Sequence, residues 1–250
     1  MPYNYIEIQG LSESQREQLT DLFEKEELFE TLLPVPAELP YHVKTVDNPE
    51  EYRRANKGWS DAALRMYMTR DEAYRLSQLY GFACRFHWCR LNWGDELDTC
   101  EADVSNSEDG SLTVTYITDE SPHHTGFMEI SKLFPEAKFS HLFSAPAPGS
   151  GFCGAAKYAN GAFIDVTKTY SEVFESWAAK NYPDVDLEAN EDDASEVEVE
   201  FRDSLDDYLL GLLAGLDEPT LEAAEKHRTD RYKMLKPTGA VEANLAKAPA

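Results

Sequence analysis

Apolar and polar residues alternate through Tyr5-Ile6-Glu7-Ile8 and stop at Gly10, the period of a half-buried strand. Ser12 with Gln15 three residues on forms a capping box, and Leu19, Leu22 and Phe23 give the following helix its apolar stripe. That helix is predicted to end near Glu30, before Pro34-Val35-Pro36. Residues 34–50 hold four prolines and no steady period, so they read as loop. Residues 51–80 read as helical, with a second capping box at Thr69 and Glu72 and a stop at Gly81. The aromatic run from Phe82 to Trp88 reads as a strand.

Strand signals then strengthen. Cys100, Ala102 and Val104 point one way while Thr99, Glu101 and Asp103 point the other. Glu108-Asp109-Gly110 turns the chain into the alternating Leu112, Val114 and Tyr116, which reads as a hairpin. A short helix is predicted from His124 to Phe134, with Phe127, Ile130, Leu133 and Phe134 on one face and Pro135 as its stop. Lys138–Phe143 is a further strand, with Phe139, His141 and Phe143 on one side, and a flexible connection follows over 145–151. Phe152–Tyr158 and Ala162–Thr169 flank Asn160-Gly161, a strong hairpin signal. The tail reads as helix near 171–181, an acidic loop at 184–198, and helices near 200–215 and 218–234, with Leu205, Leu209, Leu212, Leu213 and Leu216 docking on the sheet. The last 14 residues read as frayed.

Strand, helix, insertion, hairpin, helix and strand make a ferredoxin-like βα…ββαβ order. The expected class is α+β: an antiparallel sheet with helices on one face. Residues 1–170 form this domain, with a helical insertion at about 40–81; residues 171–250 form an acidic helical extension packed on it.

Several motifs resemble the YubB family of plasmid- and phage-encoded proteins, which have a ferredoxin-like domain. These are Tyr5-Ile6-Glu7-Ile8-Gln9-Gly10, the Leu32–Leu39 element with Pro34 and Pro36, the signature residues Trp88, Asn92, Trp93, Gly94 and Asp98, the Phe134-Pro135 step, and Gly151-Phe152-x-Gly154. The resemblance covers roughly residues 1–170. Where the family has Thr-Lys-Trp, this chain has Asp95-Glu96-Leu97, so a positive position has become negative and an aromatic is lost. The resemblance implies residence on a mobile genetic element, and such elements often carry genes against host defences.

Charge sharpens that picture. The formal net charge is -24, from 47 acids and 23 bases. Residues 171–210 carry 14 acids against 2 bases, a net of -12 and half the excess. Duplex DNA carries one charge per ~1.7 Å of axis, so those acids match roughly 24 Å of duplex. The candidate partner-binding surface is Asp184, Asp186, Glu188, Glu191, Asp192, Asp193, Glu196, Glu198, Glu200, Asp203, Asp206 and Asp207. Its bland counterpart is a solvated loop. The expected function is non-enzymatic: binding and blocking a basic host protein, such as a nucleic-acid-handling defence complex of the CRISPR or restriction kind, by imitating nucleic acid. Direct nucleic-acid binding, a membrane partner and a cofactor are not expected.

Two alternatives stand beside it. One is a nucleic-acid-binding module using the sheet or the basic segment Arg53, Arg54, Lys57, Arg65, Arg70 and Arg75 with Tyr52, Trp59, Tyr67 and Tyr74. The other is a metal-dependent enzyme built on Asp95, Glu96, Asp98, Glu101 and Asp103 near the Trp93 turn, against which a solvated acidic edge is the simpler reading. Cys84, His87, Cys89 and Cys100 read as free, largely buried thiols and a ring rather than zinc ligands. His141 reads as a satisfied core histidine, and Trp93 as the anchor of the turn, its indole N–H needing one acceptor. The stretch Met1-Pro2-Tyr3-Asn4-Tyr5 lacks bases and an apolar run, so the expected location is the cytoplasm of a bacterial host.

Overall fold

The computed structural model describes residues 3–60, 64–147, 151–183 and 191–235, with 191–196 described by backbone alone. Tyr3–Gln9 forms β1 and Glu13–Glu24 forms α1. Ser12 caps α1 with both halves of the box present. The helix ends earlier than its stripe suggests, because Glu26 takes φ 55° and turns the chain into a separate short helix, α2 (Leu28–Leu32).

The insertion holds more than helix. Asn48 caps α3 (Pro49–Ala55), with proline at the start where its missing N–H is harmless. Tyr67–Met68 (β3) is extended and pairs in parallel with Lys44–Thr45 (β2), so the continuous helix expected over 51–80 is interrupted. Thr69 then caps α4 (Arg70–Tyr80), and Gly81 closes it in the left-handed region.

The strand expected over 82–88 is absent: Arg85–Asn92 is a helix, α5, with Cys84 at its cap. An aromatic run this short carries no period able to separate strand from helix. Cys100–Asn106 (β4) and Leu112–Ile117 (β5) form the expected hairpin, His124–Leu133 is α6, and Lys138–Ala145 (β6) follows. On α6, Phe127 and Ile130 are buried and Phe134 just beyond it is too, but Leu133 is 51% exposed and leaves the predicted stripe. Phe152–Ala159 (β7) and Ala162–Thr169 (β8) turn at Asn160-Gly161, both with positive φ. Tyr170–Asn181 (α7), Glu191–Gly215 (α8) and Leu221–Leu235 (α9) complete the chain. Residues 191–198, expected as loop, belong to α8; 184–190, the 148–150 part of the 145–151 connection and the last 14 residues lie outside the described residues.

The six strands of the main sheet run β4-β5-β1-β6-β7-β8 and every neighbouring pair is antiparallel. The first four, with α1 and α6 as crossovers, are the split βαβ arrangement of a ferredoxin-like fold. β7 and β8 extend it as a meander.

Both helices of that core share one face. There Ile6, Ile8, Val114, Tyr116, Phe139 and Tyr158 pack with Phe23, Phe29, Trp93 and Phe127 into the main core. The C-terminal extension adds helices on both faces. Ala224 of α9 joins the main core, while Phe201, Leu205 and Leu209 of α8 and Val173 of α7 cover Leu142, Cys153 and Ala155 on the second face. Each fully buried Leu or Phe contributes roughly 1.5–3 kcal/mol of transfer energy, enough to hold α8 down at three or four positions.

Candidate functional site

The signature turn follows α5. Trp93 is fully buried and its indole N–H donates to the Leu33 carbonyl at 2.9 Å. Its ring stacks on Phe29, meets Trp88 edge-on at 6.3 Å, and lies 5.4 Å under the Arg85 guanidinium. Asn92 donates to the Trp88 carbonyl at 2.9 Å. Gly94 has φ 111°, and a Cβ there would stand 2.8 Å from Cα of His123 and 2.9 Å from the Pro122 carbonyl oxygen. Only glycine fits that crossing.

Two carboxylates after the turn, Asp95 and Asp98, point at backbone amides. Asp95, 2% exposed, accepts from the amides of Glu96, Leu97, Glu120 and Ser121 at 2.8–3.2 Å. Burial alone would raise its pKa; His123 and the amide donors reverse this and hold the carboxyl below the usual range. Asp98 reaches across the fold to accept from the amides of Phe29 (2.9 Å), Glu30 (2.8 Å) and Thr99 (2.7 Å), capping α2. Burial raises the Asp98 pKa against those donors. Of the five acids expected as a solvated edge, Glu101 and Asp103 are exposed and Glu96 is partly exposed, while Asp95 and Asp98 turn to backbone amides. Among the described residues no group of three His, Cys, Asp or Glu side chains is placed to hold a metal ion, so the carboxylate-enzyme alternative has no converging ligand set there. Cys84 meets His87 Nδ1 at 3.2 Å, Cys89 is buried in the main core, and Cys100 donates to the Asp98 carbonyl at 3.5 Å. All four cysteines are free, and burial raises the pKa of the Cys89 thiol to about 12.

Behind the turn lies a buried polar chain. His141 Nε2 is 3.1 Å from Asn4 Oδ1 and its Nδ1 is 2.9 Å from the Tyr158 hydroxyl, which lies 2.5 Å from His124 Nδ1. An amide oxygen only accepts, so Nε2 of His141 carries the proton and Nδ1 accepts from Tyr158. Tyr158 then accepts from His124 Nδ1–H. All members are neutral and one direction of donation satisfies every link. Burial holds His141 at about 3 and His123 at about 4. All four members of this chain are buried, where a fully satisfied polar network rigidifies the core around it.

The acidic face is on α8. Val197, Phe201, Leu205 and Leu209 recur every four residues and are buried, which turns Glu200, Asp203, Asp206 and Asp207 outward and leaves Glu198 half-buried. Glu198 pairs with Arg202 at 2.7 Å, and Glu200 accepts from the Tyr182 hydroxyl. Asp203, Asp206 and Asp207 form no ion pair with the described residues. Glu191, Asp192, Asp193 and Glu196 lie in the first turns of the helix, and Asp184, Asp186 and Glu188 lie outside the described residues.

No family model and no curated protein matches the chain. Among solved structures it is similar to a protein called api92 from Yersinia pseudotuberculosis, of the family DUF1281, at 11% identity and a TM-score of 0.36, over 68% of this chain and 97% of that one. A likeness at that level bears neither on this chain's family nor on its function.

The basic segment is partly occupied within itself. Arg75 pairs with Glu38 and Glu72, Arg54 with Glu50, and Arg53 donates to the Tyr67 carbonyl. Tyr52 and Tyr67 stack on each other at 4.0 Å, with Trp59 beside them, so two of the aromatic faces are already covered. Tyr74 is 51% exposed, and Lys57, Arg65 and Arg70 are exposed as well.

Two residues at the turn carry no sequence signal. Arg231 of α9 donates to the Arg90 and Gly94 carbonyls and lies 3.4 Å from the Ser121 hydroxyl; burial, with Arg90 nearby, lowers its pKa to about 10. His227 packs on Phe163 at 4.9 Å and on His124 at 5.5 Å. Their positions on a weakly amphipathic helix gave no stripe to follow. No helix among the described residues is long and apolar enough to cross a membrane.

Proposed function

We propose that the chain is a binding protein without a reaction of its own, and that the outward acidic face of α8 is its working surface. The observation that carries this is the build of α8: an apolar stripe anchors it to the sheet while Asp203, Asp206 and Asp207 stand outward and form no ion pair with the described residues. Charges held on a rigid helix act at fixed spacings, unlike those of a solvated loop. With a net charge of -24 such a surface repels nucleic acid and attracts basic protein grooves. The partner is a basic protein that otherwise holds nucleic acid. The residues shared with the YubB family support a mobile-element setting and a host defence complex as the target, blocked by occupation of its nucleic-acid channel.

The test is competitive capture. Immobilised protein is offered bacterial lysate at low salt, and bound proteins are challenged with duplex DNA. A nucleic-acid-handling protein that DNA displaces, and that the triple variant Asp203→Lys, Asp206→Lys, Asp207→Lys fails to capture, supports the reading. Equal capture by parent and variant, or capture indifferent to DNA, overturns it.

A further inference from the structure

The second face of the sheet is only half covered. α8 lies over β6 and β7, and among the described residues no helix packs over β5 and β4 on that side. The uncovered floor carries Tyr3 of β1, Thr115 and Ile117 of β5, and Asp103 of β4; register sets Tyr3 against Ile117, and Asp103 against Thr115. Tyr3 is 45% exposed, and Ile117 is partly exposed. The wall is the flank of α8. Asp203, Asp206 and Leu210 follow one another at three and then four residues, one stripe of a helix, and Leu210 is 48% exposed. Tyr3 sits between the two edges of this ledge, opposite Ile117: burial, then Asp206 from the wall and Asp103 from the floor, raise the pKa of its phenol.

We propose that this ledge is the docking site for a cationic amphipathic helix of a partner protein, laid beside α8 over β1 and β5. The proposal rests on the binding function given above and names its place and its partner. Three features select the occupant. Apolar Tyr3, Ile117 and Leu210 alternate with acidic Asp103 and Asp206, which fits an apolar stripe flanked by Lys or Arg. Nucleic acid would meet those carboxylates, with Glu7 on the same face and Lys138 the base at its far end, so the open sheet does not serve the nucleic-acid reading. An added strand is disfavoured as well. The outer edge of β4 is bulged between Cys100 and Asp103, Glu101 takes φ 51°, and its amide already donates to Glu26 at 2.8 Å.

The full chain is titrated at low salt with a synthetic helical peptide of leucine, alanine and lysine about 18 residues long. Binding is followed by fluorescence anisotropy and by backbone amide shifts. The expected result is shifts at Tyr3, Thr115, Ile117 and Asp206, with Asp103→Lys, Asp206→Lys weakening binding by about tenfold or more and Glu200→Lys, Asp207→Lys by less than about threefold. The neutral pair Asp103→Asn, Asp206→Asn gives an intermediate loss and guards against misfolding of the reversed variant. Shifts confined to Glu200 and Asp207 overturn the ledge and leave the acidic-face reading standing. A single-stranded oligonucleotide shifting the same floor amides, or no peptide binding by the parent, overturns the proposal outright.

Discussion

On the first face of the sheet, α1, α6 and α9 pack over β4, β5, β6, β7 and β8, and buried charged and ring groups there take internal partners. Asp95 and Asp98 take backbone amides, Arg231 takes carbonyls, and Asn4, His141, Tyr158 and His124 form one directed chain. On the second face α8 closes only half the sheet, and its Asp203, Asp206 and Asp207 form no ion pair with the described residues. The same residue type thus does opposite things on the two sides. A carboxylate such as Asp98 that caps amides is a structural part. A carboxylate such as Asp207 that faces water with no cation among the described residues adds self-repulsion and returns little to the fold. Function is therefore sought on the second face, and perturbing the two faces is expected to separate stability from binding.

The largest effect is expected from pH on the first face. In the unfolded chain a histidine titrates near 6.5, whereas the folded protein holds His123 at about 4 and His141 at about 3. Below pH 6.5 the unfolded state takes up protons that the folded state refuses, so stability is full above that pH and falls as pH drops toward 4. Two such groups remove about 4 kcal/mol between pH 7.5 and 5. Urea unfolding at both pH values measures it, and His141→Gln is expected to reduce the slope. A flat profile would mean that these rings are not held neutral.

Gly94→Ala comes next, at about 3 kcal/mol, because the new Cβ meets backbone and φ is left-handed. Gly110→Ala is the matched comparison: φ is again positive at 86°, but the near atom is only the Arg16 side chain, so about 1 kcal/mol is expected. Thermal unfolding of both variants decides; equal losses would show that the crossing of the turn over His123 contributes nothing. Asp98→Ala follows at about 1–2 kcal/mol, since it uncaps α2 from a distance. If its melting temperature matched the parent, the amides of Phe29 and Glu30 would be satisfied by water and the signature aspartate would need another role.

What the sequence disclosed divides along the same line. Alternation and capping residues are local, so β1, the β4–β5 hairpin, the Ser12 box and the Asn160-Gly161 turn were legible. The inward place of His141 between Phe139 and Phe143 followed from period two alone. Long-range polar contacts leave no such mark: nothing near Arg231 announces Gly94, and nothing near Asp98 announces Phe29. The start of α8 was misplaced because its acids resemble a solvated run. Yet Val197 stands four residues before Phe201, and acids are favourable in the first turns of a helix, so the helix could have been read back to that point. On the second face, the uncovered half of the sheet depends on where α8 lands, which no pattern within α8 determines.

The smallest effect on stability is expected from the surface argued to matter most. Asp203, Asp206 and Asp207 touch no described cation, so Asp203→Lys with Asp207→Lys removes repulsion and breaks no bond. The melting temperature is expected to move by less than about 2 °C, upward if at all, with an unchanged denaturant slope. The effect should shrink in high salt, because exposed charges more than ~10 Å apart are screened at moderate ionic strength. A drop of many degrees would place these aspartates among the structural carboxylates with Asp95 and Asp98. The contrast between the two faces would then be lost, and with it the ground for reading the α8 acids as a surface kept for a partner.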